Sequence, residues 1–180
     1  MLRVVLIGAE STGKSTLIKA LAAYFNAPFS NEFARDYVTK YQAAVTEDDL
    51  ERIILGQIAY EKNACKKASP LVFHDTNLLS TSIYSRYYFR SFPESLQRAL
   101  NLNHYNLYLF CLNDIPWIAE PLQRDSPDGQ KQIQDLIYRA LIKDSLPFVN
   151  IKGSLDKRIR ESIKAIEKLL SSTENQEFNA

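Results

Sequence analysis

Cysteine and histidine are both scarce, with two of each in 180 residues, and that scarcity removes several kinds of chemistry at the outset. Cys65 and Cys111 lack the spacing of a metal site or a redox motif, and two thiols are too few for a disulfide framework. They read as buried free thiols in a reducing cytoplasm. His74 and His104 have no partner at metal-ligand spacing. Charge of one sign is lacking too: the formal net charge is +1, so no overall basic excess points to nucleic acid or an anionic membrane surface. Long hydrophobic runs are missing. The apolar start, Leu2 to Ile7, is too short to span a bilayer and runs into a glycine turn rather than a cleavage site, so neither a membrane span nor a secretion signal is expected. Internal repeats and low-complexity segments are also lacking.

What is present is ordinary globular composition, 46% apolar and 24% charged, at a length that suits one domain with one core. Leu2 to Ile7 has the β-branched, unbroken apolar character of a central parallel strand. Helical spacing follows in Ser15 to Phe25, through Leu17, Ile18, Leu21 and Phe25. Pro28 to Ser30 is a short strand candidate, Asn31 to Tyr41 a helix, and Thr46 with its following acids starts another helix running to about Lys67. Strands are predicted at Leu71 to Phe73, Leu107 to Leu112 and Phe148 to Ile151, and helices at Asn77 to Phe89, after Pro93, at Gln130 to Asp144 and at Leu155 to Leu170. Alternation of this kind predicts an α/β fold, a parallel sheet sandwiched between two helical layers. A single domain is expected over residues 1–170, with 113–129 as a lid because it is long, proline-bearing and charged, and with 171–180 as a flexible tail.

Gly8-Ala9-Glu10-Ser11-Thr12-Gly13-Lys14-Ser15 matches the phosphate-binding loop pattern in full, after a strand and before a helix. Glycines let successive amides point at one phosphate, the helix amino terminus adds its positive end, and the lysine brings a mobile charge to the outer phosphates. The residues expected at the nucleotide are therefore Gly8, Glu10, Ser11, Thr12, Gly13, Lys14, Ser15 and Thr16, with ATP as cofactor and Ser15 on magnesium.

A phosphoryl acceptor needs a base or orienting carboxylate near the carboxyl ends of the strands. Glu32, Asp36 and Asp75 qualify, and Arg35 lies beside the first two. Glu32 and Asp36, four apart, could share a helix face or simply cap and pair at the surface. Asp75, otherwise a simple strand-end cap, is the expected magnesium carboxylate, bound to the ion directly or through another ligand, and Glu32 is the expected base, though the two roles are exchangeable. Arg124 is either an in-chain arginine finger over the transferring phosphate or an exposed loop residue. Trp117, the single tryptophan, either stacks on a planar ring or anchors its loop. Lys152 and Gly153, after the last strand, either approach the adenine or form a plain strand-to-helix turn.

Taken in order, the phosphate loop, Asn31 to Tyr37 (Asn-Glu-Phe-Ala-Arg-Asp-Tyr), Gly56-Gln57, Asp75-Thr76-Asn77, Asp114-Ile115-Pro116-Trp117 and Ile151-Lys152-Gly153 resemble the ribosylnicotinamide kinase domain of the NadR family across nearly the whole chain. The resemblance implies a P-loop, nucleoside-kinase-like fold and transfer of the γ-phosphate of ATP to the 5′-hydroxyl of nicotinamide riboside, giving nicotinamide mononucleotide in NAD salvage. It also implies the kinase half of such proteins alone, since no second nucleotide-binding unit is visible. A cationic pyridinium ring favours an aromatic platform with carboxylates, which Trp117 with Glu120 or Glu32 could supply. The expected partner is thus a small molecule, with no nucleic acid and no membrane, and oligomerisation is left open. Two rival readings stand: a kinase of another nucleoside or nucleoside monophosphate, since the phosphate loop is blind to the acceptor, and a regulatory ATPase that releases phosphate to water.

Overall fold

The computed structural model describes residues 1–67, 70–102, 104–118 and 126–177. Its sheet is built around β1 (Leu2–Ile7), whose apolar run is buried on both faces. β1 pairs in parallel with β3 (Leu71–Asp75) on one side and β4 (Leu107–Cys111) on the other, with Val5 opposite both His74 and Tyr108. β2 (Phe29–Ser30) and β5 (Phe148–Ile151) close the edges, so the order is β2-β3-β1-β4-β5, all parallel.

Because side chains alternate along a strand, β1 feeds two cores. Val4 and Leu6 pack with Leu17, Ile18 and Leu21 of α1 (Lys14–Tyr24) and Ile166 of α7 (Leu155–Glu177). Val5 and Ile7 face Ile133, Ile137 and Leu141 of α6 (Pro127–Lys143) and Ile83 of α4 (Leu78–Tyr84). A third, smaller cluster joins Ile54 of α3 (Leu50–Cys65) to Leu78 of α4 and Leu96 of α5 (Glu94–Leu102). α2 (Phe33–Tyr41) lies against α3. The architecture is the predicted three-layer α/β/α sandwich. Among the described residues no helix is long and apolar enough to cross a membrane.

Several boundaries differ from the sequence pattern for identifiable reasons. The third helical stretch opens as a 3-10 turn, Glu47–Asp49, held where the Asp49 carboxylate reaches back to accept from the Thr46 hydroxyl and amide, at 2.7 and 2.9 Å. Past Tyr84 the expected helix becomes a π-helical turn, Ser85–Phe89, ended by Arg90 with a left-handed φ of 54°. α6 begins at Pro127 rather than Gln130, because the Ser126 hydroxyl caps it by accepting from the Gly129 amide at 3.1 Å and proline suits the first helical position. The last helix continues to Glu177, past the end of its apolar periodicity at Leu170, as a chain without Gly or Pro can propagate once nucleated. Both thiols are free as expected, but only Cys111 is fully buried. Burial pushes the Cys111 thiol up to about 11, which makes it chemically inert.

Candidate active site

The topology brings the carboxyl ends of β1 and β3 together where the chain reverses its direction across the sheet, the place where open α/β sheets bind ligands. The phosphate loop leaves β1 there. Gly8 approaches β4 so closely that a Cβ would stand 2.6 Å from the Cys111 carbonyl oxygen, and Gly13 adopts the left-handed conformation, φ 77°, that hands the loop on to α1. Lys14 is buried, with Nζ donating to the carbonyls of Gly8 and Ala9 at 2.9 and 2.8 Å, and the Thr12 hydroxyl donates to Ala9 at 2.8 Å. Thr16 is exposed on the first turn of α1.

The loop is held from outside by residues that the sequence did not single out. Gln134 of α6 accepts from the Ala9 amide at 2.8 Å and donates to the Cys111 carbonyl at 3.0 Å, while Gln130 donates to the Glu10 carbonyl at 2.7 Å. Arg158 of α7 is buried and donates to the carbonyls of Thr12, Leu112 and Gly153 at 2.7, 3.0 and 2.9 Å, and to the carboxylate of Asp114. Asp114 in turn accepts from the Gly153 amide at 2.6 Å. Arg158 thus ties the phosphate loop to the ends of β4 and β5. Gly153 serves this tie through its backbone, at φ 93°, and Lys152 is exposed beside it.

At the end of β3 the three residues of Asp75-Thr76-Asn77 have separate tasks. Asp75 Oδ2 accepts from the Ser15 hydroxyl at 2.7 Å, whereas its buried Oδ1 has no hydrogen-bond partner. Thr76 takes the left-handed conformation, φ 62°, with its amide on the Leu6 carbonyl at 3.0 Å, and Asn77 caps α4. A hydroxyl beside a carboxylate with a spare buried oxygen is a donor set that suits a hard divalent cation sharing its remaining positions with phosphates and water.

Beside the loop opens a cavity of about 200 Å³, lined among others by Glu10, Glu32, Arg35, Thr76, Tyr84 and Tyr88. Glu32 stands at the N-cap of α2 in extended conformation, and Arg35 Nε lies 3.5 Å from its Oε2. Its position is set from below. The Phe33 amide donates to Gln57 at 3.0 Å, and Gly56 leaves room for the Phe33 ring, which a Cβ would meet at 2.3 Å. Burial and the negative charge of Asp75 raise the Glu32 carboxyl above its ordinary value, against the opposing pull of Lys14 and Arg35. Burial likewise raises Glu10, which the Lys14 charge and the Tyr84 phenol counter.

Of the expected site residues, Lys14, Ser15, Glu32, Arg35 and Asp75 converge at the end of the sheet. Asp36 does not line the cavity. Glu32, the extended N-cap, lines the cavity, whereas Asp36 on the first turn is exposed and accepts from Tyr60 at 3.0 Å, so the two carboxylates are not brought together. Glu10 contributes its backbone to the phosphate loop, but its side chain turns into the cavity, where a carboxylate avoids repulsion by phosphates. Trp117 is half-buried with Nε1 lacking a partner, next to Ile118, whose carbonyl accepts from the Ser11 hydroxyl at 2.8 Å. Glu120 and Arg124 lie outside the described residues. A larger cleft, about 1200 Å³, lies between α4, α5 and α6 and contains none of these residues.

A parallel sheet in this order, with a phosphate loop after its first strand and a serine-carboxylate pair across its switch point, defines a P-loop fold of the nucleoside and nucleotide kinase type. The chain belongs to the AAA domain family, which it matches over residues 3–158. It is 28% identical over 93% of its length to the trifunctional NAD biosynthesis/regulator protein NadR of Salmonella typhimurium, of which it spans 42%. NadR crystal structures in complex with NAD and AMP-PNP and with NR match it at TM-score 0.74, at 26% and 25% identity, covering 93% of this chain and 49% of theirs. Thymidylate kinase from Ehrlichia chaffeensis, at TM-score 0.65 and 16% identity over 92% of this chain and 98% of its own, shares the fold.

Proposed function

We propose that this chain is an ATP-dependent nicotinamide riboside kinase that transfers the γ-phosphate of ATP to the 5′-hydroxyl of nicotinamide riboside. The observation that carries the reading is the similarity, over 93% of this chain, to a NadR structure solved with NR. The amides of the phosphate loop and Lys14 would hold the triphosphate, and magnesium would be held by Ser15 and Asp75. That ion, when bound, neutralises charge on the transferring phosphoryl group and its leaving oxygen. Asp75 Oδ1, buried and without a hydrogen-bond partner, fits such a ligand. Glu32 is the base or orienting carboxylate: it neighbours Asp75 and Lys14, and a carboxyl raised by burial is better matched to taking a proton from a hydroxyl than an exposed one.

The test is ATP turnover with magnesium by the purified chain, with nicotinamide riboside, common nucleosides or no acceptor, and with product masses recorded. Nicotinamide mononucleotide formed in preference to other products, and lost in Lys14→Ala, supports the reading. Phosphate release indifferent to every acceptor would replace it with a nucleotide-hydrolysing switch.

A further inference from the structure

Glu10 brings a carboxylate into a phosphate loop, where a negative charge aimed at the phosphates would repel them. Its side chain lines the neighbouring cavity, and its Oε2 is buried with no hydrogen-bond partner. Among the residues that line this cavity the charged ones are Glu10, Glu32 and Arg35. Arg35 lies against Glu32 at 3.5 Å, and Lys14 is turned to the carbonyls of Gly8 and Ala9. The lining therefore carries one more negative than positive side chain, an excess shared by Glu10 and Glu32, which Lys14 and Arg35 both face, and Glu10 is the one with an unpartnered buried oxygen. Around it stand Tyr84, Tyr88 and Phe89, with the Tyr84 and Tyr88 rings 6.1 Å apart and 21° from parallel. Aromatic faces with a desolvated carboxylate make a receptor for a flat organic cation, to which the faces offer their negative quadrupoles and the carboxylate a counter-charge.

We propose that Glu10 makes the acceptor cavity selective for a positively charged nucleoside, with the cationic ring held against Glu10 and the cavity's tyrosines rather than against Trp117. This rests on the reading that a nucleoside accepts the phosphoryl group in this cavity. A neutral ring of the same shape adds no counter-charge to the partial one that Lys14 and the Tyr84 phenol already give this carboxylate, and it binds more weakly. The groups facing Glu10 are Lys14, Glu32, Arg35 and Tyr84. Since burial raises the Glu10 carboxyl, affinity for a cation falls as pH drops through that raised range, whereas affinity for a neutral ring does not fall with it.

Nicotinamide riboside and its reduced dihydro form share the ribose and differ in ring charge. kcat/KM for each, measured on the unaltered chain and on Glu10→Gln, gives a ratio that cancels general damage to the loop. The expected result is a preference for the cation that drops by about tenfold in Glu10→Gln, the effect of one charge-assisted contact. A ratio unchanged by the substitution, or an equal loss on both acceptors as a carboxylate serving only ribose hydroxyls would give, overturns the proposal. If the unaltered chain phosphorylates neither acceptor, the kinase reading itself falls. Calorimetry with 1-methylnicotinamide cation against neutral nicotinamide then still decides the role of Glu10: cation-selective binding lost in Glu10→Gln upholds it, and no selectivity refutes it.

Discussion

Asp75 and Glu32 are neighbouring carboxylates with different surroundings, and the difference is why the proposed function gives them different work. Asp75 is engaged by Ser15 through one oxygen and offers the other; Glu32 is pushed up by burial and by Asp75 itself. Asp75→Asn keeps a partner for Ser15 but weakens the hold on a divalent cation, so kcat is expected to fall by about 100-fold or more in a magnesium-dependent assay, with the folded state intact by circular dichroism. As the proposed base, Glu32 has to be ionised to accept a proton. The acid limb of kcat/KM against pH should therefore lie above the ordinary glutamate value of about 4.3, activity falling as pH drops through it, and the limb should vanish with most of the activity in Glu32→Gln. An acid limb that persists unchanged in Glu32→Gln would assign the base elsewhere.

At the scale of elements, two contacts place the site. Gly56 lets the Phe33 ring lie on α3, and that contact sets where α2 starts and where Glu32 points. Gly56→Ala forces the ring away, costing about 1–3 kcal/mol; acceptor KM should rise and kcat fall while AMP-PNP affinity is retained. Arg158 fixes the other side. Arg158→Met leaves the carbonyls of Thr12, Leu112 and Gly153 without their donor, which costs about 2–4 kcal/mol and should lower Tm by roughly 5–15 °C in a thermal melt. Neither contact was legible as such. Gly56 and Gln57 stood out only through a family resemblance, and Arg158 sits among Lys157 and Arg160 in a helix whose charges look like a solvated face. Local pattern does not reveal a long-range hydrogen bond. The strands and the phosphate loop, by contrast, were legible because burial on both faces leaves unbroken apolar runs, and because the loop's glycines answer to close approach and positive φ. The π turn after Tyr84 has no sequence signature, and the start of α6 was hidden because Ser126 and Pro127 read as loop residues.

At the scale of the molecule, one buried polar network runs under the sheet and joins β1, β2, β3 and α3. Arg3 donates to Glu61 at 2.6 Å, Tyr105 to the same oxygen at 2.7 Å, and Gln57 to the other at 3.2 Å. Arg3 Nε donates to His74 Nε2 at 3.4 Å, leaving Nδ1 to Ser30 at 2.9 Å. Burial, together with the nearby Arg3 charge, lowers His74 to about 3. The unfolded chain takes up that proton near pH 6.5, so the contribution of His74 is present above about 6.5 and is lost as pH falls toward 3. Glu10, Glu32 and Glu61, raised by burial, act with the opposite sign. A comparison of slopes separates them: denaturant melts between pH 7 and 4 should show a steeper acid loss for the unaltered chain than for His74→Asn, and parallel slopes would exclude His74 as the cause.

Under the proposed function the phosphoryl acceptor sits in the cavity between the phosphate loop, α2 and α4. A crystal structure of the chain with AMP-PNP, magnesium and nicotinamide riboside tests it most directly. The riboside is expected in that cavity, its 5′-oxygen between Glu32 and the γ-phosphate and the metal at Ser15 and Asp75. Riboside bound instead in the larger cleft between α4, α5 and α6, with the cavity beside Glu10 and Glu32 left to water, would contradict it.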